Sequence, residues 1–111
     1  MKRALILYYI LVFLVMTAVT TWASLTGNVL EGAAQVWALP WGRATFFDTY
    51  FAFLTFYLWV AYREKHWAGR VTWFLLIMAL GNLAIAAYLI WRLAQLPARG
   101  TLADLLTGPK P

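Results

Sequence analysis

One carboxylate lies inside an apolar stretch, at a position where acids bind protons, ions or polar ligands. Asp48 follows the start of the run 44–62 by about one helical turn. An ionised carboxylate costs about 2.5–3.5 kcal/mol at the centre of a membrane helix and less near the interface, so we expect it to face other helices. Thr17 and Thr20 lie at a similar depth in an earlier apolar run. Two hypotheses follow: a structural carboxylate held by threonines or by Arg43, and a proton-linked or ligand-binding carboxylate.

An amide is the second polar group within the apolar runs. Asn82 lies near the middle of the run 71–91, where an amide is expected to hydrogen-bond to a neighbouring helix. Thr55 shares a helix face with Asp48, and we expect this face to point inward. Counted from the same edge, Asp48 is about 6–7 Å deep and Asn82 about 14 Å, so they need a water, a ligand or a shifted register to meet. The candidate binding or proton-linked residues are Asp48, Asn82, Thr55 and Thr20.

A charged cluster of four residues, Arg63, Glu64, Lys65 and His66, follows the second apolar run. Cations there complement the helix dipole and attract anionic lipid, which predicts a membrane-surface role for the cluster. Glu64 with His66 imitates part of a metal or acid–base pair, but one histidine and no cysteine leave too few ligands for one subunit. No Ser-His-Asp, Cys-His or phosphate-binding glycine motif occurs. We therefore predict no catalytic residue, no metal and no cofactor.

The composition of the chain predicts a membrane protein. Of the 111 residues, 64% are hydrophobic and only 12% are charged, and the mean hydropathy is +0.71. Soluble domains carry about 25% charged residues, so both a soluble domain and a disordered chain are disfavoured. The net charge is +5, but the basic residues flank the apolar runs. This placement favours contact with lipid headgroups over a nucleic-acid surface.

Three apolar runs of about 20 residues each predict three membrane-spanning helices, at about 4–23, 44–62 and 71–91. The first run is alternatively a signal peptide, because it follows two basic residues, although it exceeds the usual apolar core of about 7–15 residues. The predicted fold class is thus all-α, a three-span transmembrane bundle in a single membrane domain, 1–111.

The segment between the first two runs, 24–43, predicts a short interfacial helix. Asn28 is suited to cap its first N–H groups, with Glu31 three residues later, and Pro40 marks its end. An irregular loop pinned by Trp37 and Trp41 is the alternative. The tail, 92–111, predicts one turn of surface helix at 101–107, followed by a mobile Pro-Lys-Pro end.

Three spans place the two ends of the chain on opposite sides of the membrane. The basic residues then divide five to four, with Lys2, Arg3, Arg63, Lys65 and Arg70 against Arg43, Arg92, Arg99 and Lys110. The residues nearest the spans favour a cytoplasmic N-terminus and an external C-terminus, in a plasma or inner membrane. Aromatic side chains divide between the same two ends, which predicts one belt with Trp59 and Trp73 and another with Tyr88 and Trp91.

The stretches 47–57 and 59–64, with Trp73, Gly81, Asn82 and Tyr88, resemble a small family of uncharacterised integral membrane proteins, a domain of unknown function. The resemblance implies a compact helical membrane protein and supplies no activity. Asp48, Glu64 and Asn82 carry over as motif positions without roles. The chain is also similar in size and helix number to the three-span subunits of heterodimeric lycopene cyclases. It lacks their Pro-x-Glu-Glu type motif, so cyclase activity is not expected.

Two functional hypotheses remain. The leading one is a non-enzymatic accessory or structural subunit that packs against itself or against a larger membrane protein. The alternative is a small transporter-like oligomer, or a subunit of a lipid or isoprenoid enzyme, that uses Asp48. The predicted partners are the lipid bilayer and a homo-oligomer or larger membrane protein, with no nucleic acid.

Overall fold

The computed structural model describes residues 2–96 and 101–107, and the regular structure in these ranges is entirely helical. This confirms the all-α class. In chain order the six helices are α1 (Lys2–Thr26), α2 (Val29–Ala38), α3 (Pro40–Arg63), α4 (Trp67–Leu80), α5 (Asn82–Gln95) and α6 (Leu102–Thr107).

Two helices, α1 and α3, are long and apolar enough to cross a membrane, judged by length and composition. At 1.5 Å per residue the 25 residues of α1 extend about 37 Å and the 24 residues of α3 about 36 Å. Pro40 is the first residue of α3, where its missing N–H removes no helical hydrogen bond. Helix α3 therefore begins four residues before the predicted second span, 44–62.

The third predicted span, 71–91, is wrong. Gly81 separates α4 from α5 with φ +59° and ψ −123°, a conformation open to glycine and strained for other residues. The chain reverses there, so that Trp73 of α4 packs on Tyr88 of α5 with ring centroids 4.8 Å apart and stacks on Trp91 at 6.0 Å. The apolar run forms a helical hairpin with arms of about 21 Å, shorter than the hydrocarbon core of about 30 Å.

The reversal brings the start of α1 and the end of α5 to the same end of the molecule. Lys2 Nζ donates a hydrogen bond to the carbonyl of Leu96, 94 residues away, at 2.6 Å. Helix α6 lies at this end too, since Trp59 Nε1 donates to the carbonyl of Leu106 at 2.8 Å. The predicted placement of the N-terminus and tail on opposite sides is therefore wrong. So is the division of Trp73 and Trp91 between two belts, because their rings touch.

Positive charge is concentrated at that end, which we call the basic end. Within residues 2–96 and 101–107, six of the seven lysine and arginine residues lie there, at Lys2, Arg3, Arg63, Lys65, Arg70 and Arg92. The seventh, Arg43, lies near the start of α3 at the opposite end. Arg99 and Lys110, which entered the predicted count, fall outside the described residues.

The core forms around α5. One buried cluster joins Val60, Ile77, Ala84 and Tyr88, and a second joins Leu89, Leu93, Leu96 and Leu105. Phe56 and Trp59 of α3 pack against both clusters. Helix α1 lies along α5, but none of the residues of α1 is fully buried. The hairpin is therefore the structural centre, and the two long helices flank it.

Two local predictions are confirmed. Asn28 Oδ1 accepts hydrogen bonds from the backbone N–H groups of Leu30 and Glu31, at 2.7 and 3.3 Å, and so caps α2. The tail forms α6 at the predicted place, where Leu105 is buried. The Pro-Lys-Pro end lies outside the described residues.

Candidate functional site

Asp48 lies on an exposed surface of α3, away from its predicted partners. Within residues 2–96 and 101–107 its carboxylate forms neither a hydrogen bond nor an ion pair. The hydroxyl of Thr17 donates to the carbonyl of Phe13 in its own helix, at 2.7 Å. Arg43 Nε donates to the carbonyl of Trp37, at 2.6 Å. Asp48 is thus an unusual carboxylate, as its position in the sequence indicates, but it has no hydrogen-bond or ion-pair partner within the described part of the chain.

The predicted inward face of α3 is exposed at Asp48, Ala52 and Thr55, and it packs on the core only further along the helix, at Trp59. The Thr55 hydroxyl donates to the carbonyl of its own helix at Phe51. The opposite face packs on the hairpin, with Phe53 and Phe56 among the residues that contact the core cluster around Val60. Aromatic rings bury more apolar area than alanine and threonine, which explains why they occupy the interior.

Asn82 is the first residue of α5, directly after the reversal at Gly81, and it is exposed. Its amide forms no hydrogen bond to the rest of the described chain. Thr20 is likewise exposed on α1. No hydrogen bond within 2–96 and 101–107 joins any two of Asp48, Asn82, Thr55 and Thr20, so these candidates form no cluster in one subunit.

The structure instead assembles a polar cluster at the basic end, centred on an ion pair between α5 and the end of α3. Arg92 Nη2 lies 2.5 Å from Glu64 Oε1, and the two side chains are only 14% and 11% exposed. Arg92 Nε donates to the Tyr88 hydroxyl at 3.0 Å. The guanidinium also lies over the ring of Trp91, 4.6 Å from its centroid. We call Glu64, Tyr88 and Arg92 the ion-pair cluster.

Residues of α3 and of the first turn of α4 hold Glu64 in place. Arg70 Nε donates to the backbone carbonyls of Ala61 and Glu64, at 3.1 and 2.9 Å, and so satisfies carbonyls left free at the end of α3. The Tyr57 hydroxyl donates to the carbonyl of Arg70 at 3.0 Å. A Cβ on Gly69 would lie 2.7 Å from Glu64 Oε2, so this glycine leaves room for the carboxylate.

The ion-pair cluster fastens the open end of the hairpin to α3. The carboxylate of Glu64 and the guanidinium of Arg92 are paired with each other, and this pairing positions the end of α3 against α5. Lys65 and His66 are exposed, whereas Arg63 and Glu64 are partly buried. No three histidine, cysteine, aspartate or glutamate side chains meet within the described ranges.

Sequence reasoning missed Tyr88 and Arg92 as members of a site. Glu64 and Arg92 are 28 residues apart, and a straight third span places them on opposite sides of a membrane. The available signal was the pair Gly81 and Asn82 in the middle of an apolar run, because glycine commonly ends a helix and asparagine favours turns.

Comparison with known proteins gives one match. A family model described as "Protein of unknown function (DUF1475)" matches residues 2–109. No curated protein and no solved structure matches the chain. The match confirms the resemblance to a family of unknown function, and the description of that family contains no mention of a membrane.

Proposed function

The chain belongs to the DUF1475 family of proteins of unknown function, and we propose that it is an integral membrane protein that serves as a non-enzymatic accessory subunit. In this proposal α1 and α3 cross the bilayer. The hairpin of α4 and α5 enters from the side of the basic end and returns to it. The basic end faces the cytoplasm.

The segregation of positive charge is the observation that carries this proposal. Lysine and arginine near membrane helices are enriched on the cytoplasmic side. Among the described residues, the hairpin changes the division from five against two, expected for three spans, to six against one. Broken helices at membrane depth are tolerated where protein surrounds them, and here α3 and α1 flank the reversal at Gly81.

The exposed apolar surface of α1 and the exposed face of α3 support an accessory role. Leu7, Leu11 and Leu14 follow one side of α1 at steps of four and three, and each is more than half exposed. On α3, Asp48 has no partner inside the described chain. A carboxylate at this depth is costly in lipid, so a contact with another chain would offset the cost. A larger membrane protein or a second copy fits both surfaces.

Side-specific thiol labelling tests the placement. The chain has no cysteine, so single-cysteine variants have no labelling background. In sealed vesicles Lys65→Cys and Ala103→Cys should react with an impermeant maleimide from the same side, and Gln35→Cys from the opposite side. Labelling of Ala103→Cys together with Gln35→Cys would contradict the hairpin. Extraction of the wild-type chain by carbonate would contradict membrane integration.

Crosslinking in native membranes, followed by mass spectrometry, tests the accessory role. We expect the wild-type chain to crosslink to a stable partner or to itself. This crosslinking should be weaker in Asp48→Asn and unchanged in the control Asn82→Ala, which removes the other polar group of the apolar runs. The second candidate, a transporter-like oligomer or a lipid or isoprenoid enzyme subunit, also uses Asp48 and is favoured by its unpaired carboxylate. It predicts that Asp48→Asn leaves assembly intact while a cellular phenotype is lost. Absence of any partner would refute the accessory role.

A further inference from the structure

A groove with aromatic walls lies where α2 meets α3, at the end of the molecule opposite the basic end. We call it the aromatic groove; its lining residues are Trp37, Phe46, Phe47, Tyr50, Phe51 and Leu54. Its volume is about 400 Å³, within the range of about 300–1,000 Å³ typical of small-molecule sites. The walls are apolar and the groove opens to the side of the molecule. It therefore suits an elongated apolar chain.

A cation, Arg43, packs on Trp37, one of the lining residues of the aromatic groove. Arg43 Nε donates to the carbonyl of Trp37 at 2.6 Å, and its guanidinium carbon lies 5.0 Å from the centroid of the Trp37 ring. Its two terminal nitrogens form no hydrogen bond within residues 2–96 and 101–107. The side chain is thus oriented by two contacts and retains a planar fork of donors, the geometry that binds phosphate.

The cation and the groove are aligned along α3. Arg43, Phe47 and Leu54 are separated by four and seven residues, so they follow one face of the helix over about 16 Å. Asp48 lies about 140° around the helix from Arg43 and does not neutralise it. The face therefore has a positive head and an apolar tail.

The corner between the two helices is rigid because their backbones are in close contact. A Cβ on Gly42 would lie 1.8 Å from the carbonyl oxygen of Val36, so a larger residue would force α2 away from α3. This approach sets the Trp37 ring 6.4 Å from Phe46 and 6.1 Å from Phe47, centroid to centroid. The groove is therefore formed before any ligand arrives, which lowers the entropic cost of binding.

From this geometry we infer that the aromatic groove binds one phospholipid of the bilayer, with the phosphate on Arg43 and one acyl chain along Phe47 and Leu54. The inference rests on the proposed membrane placement. It puts Arg43 at headgroup depth and the groove at the depth of the acyl chains. Charge complementarity selects the occupant, because Arg43 is the one lysine or arginine at this end among the described residues.

Native mass spectrometry of the purified chain in detergent tests the site, with dioleoylphosphatidylglycerol as the probe and dioleoylglycerol as the phosphate-free comparison. We expect one bound phosphatidylglycerol and much weaker binding of dioleoylglycerol. Arg43→Gln should weaken phosphatidylglycerol binding by about tenfold or more, since hydrogen bonds to charged groups contribute about 1.5–3 kcal/mol. Arg43→Lys, which keeps the charge and loses the fork, should fall between. Arg3→Gln, a matched loss of charge at the basic end, should bind as wild type does.

A second pair of variants tests the chain-binding walls. Leu54→Asn puts an amide in the groove, whereas Leu75→Asn puts the same amide on an exposed position of α4 outside it. Only the first should weaken binding. Equal binding by wild type and Arg43→Gln, equal binding of the two lipids, or a lipid-free dimer that Leu54→Asn dissociates would overturn the inference. Carbonate extraction separates the two proposals: a chain that washes out refutes the membrane placement, and an integrated chain indifferent to Arg43→Gln refutes only the lipid site.

Discussion

Replacement of Gly81 by alanine should destabilise the hairpin strongly. At φ +59° and ψ −123° any residue with a Cβ is strained, by about 1–3 kcal/mol. The new Cβ would also lie 2.7 Å from Phe53 Cζ, and such overpacking costs about 1–3 kcal/mol. The two effects together predict a loss of about 2–6 kcal/mol, a large part of the 5–15 kcal/mol that stabilises a typical native protein.

Reversible unfolding in mixed detergent and SDS micelles, followed by tryptophan fluorescence, measures this loss. Gly32→Ala is the matched control, because a Cβ there meets no atom within 4 Å and alanine favours a helix by about 0.5–1 kcal/mol over glycine. We expect Gly32→Ala to stabilise the chain slightly and Phe53→Leu to recover part of the loss in Gly81→Ala. If Gly81→Ala is as stable as wild type, the helix runs straight through position 81 and the reversal is refuted.

Further variants test three of the contacts described above. Glu64→Gln and Arg92→Gln should each lower the free energy of unfolding by about 2–4 kcal/mol, because each leaves a largely buried charge unpaired. The double variant should lose less stability than the sum of the two single losses, and additive losses would contradict the ion pair. Asn28→Ala should cost about 1 kcal/mol and speed hydrogen exchange at the first amides of α2, while exchange unchanged from wild type would show that the cap is not formed. Trp59→Phe keeps an aromatic ring but removes the indole N–H that donates to α6, so protease should cleave α6 sooner; an unchanged cleavage rate would assign the docking of α6 to Leu105 alone.

Several elements were predictable because local sequence determines them. The length and apolarity of α1 and α3, the Asn28 cap and the short helix of the tail all follow from composition and capping chemistry. The third span was not predictable from its length and apolarity, since a straight helix and a hairpin of the same residues have the same values. What separates them is a single positive φ at Gly81 and the packing of Trp73 on Tyr88.

The candidate site was harder to predict than the fold. Asp48 draws attention because a carboxylate is unusual in an apolar run. The free-energy cost of its charge depends on the surroundings of the exposed face of α3, which the sequence does not give. Aromatic rings, and not Asp48, fill the core of one subunit. The ion pair of Glu64 with Arg92 could not be inferred without the reversal, since each residue separately is an ordinary charge at the end of an apolar run.

The pairing of α1 with α5 has a consequence for biosynthesis. The first helix made has as its main neighbour the fifth, and about 70 residues separate the end of one from the end of the other. At about 5–20 residues per second, α1 leaves the ribosome roughly 3–14 s before that neighbour is complete. During this interval the side of α1 that packs on α5, with Leu5, Ile6 and Tyr9, has no intramolecular cover, so other proteins must shield it until α5 is complete.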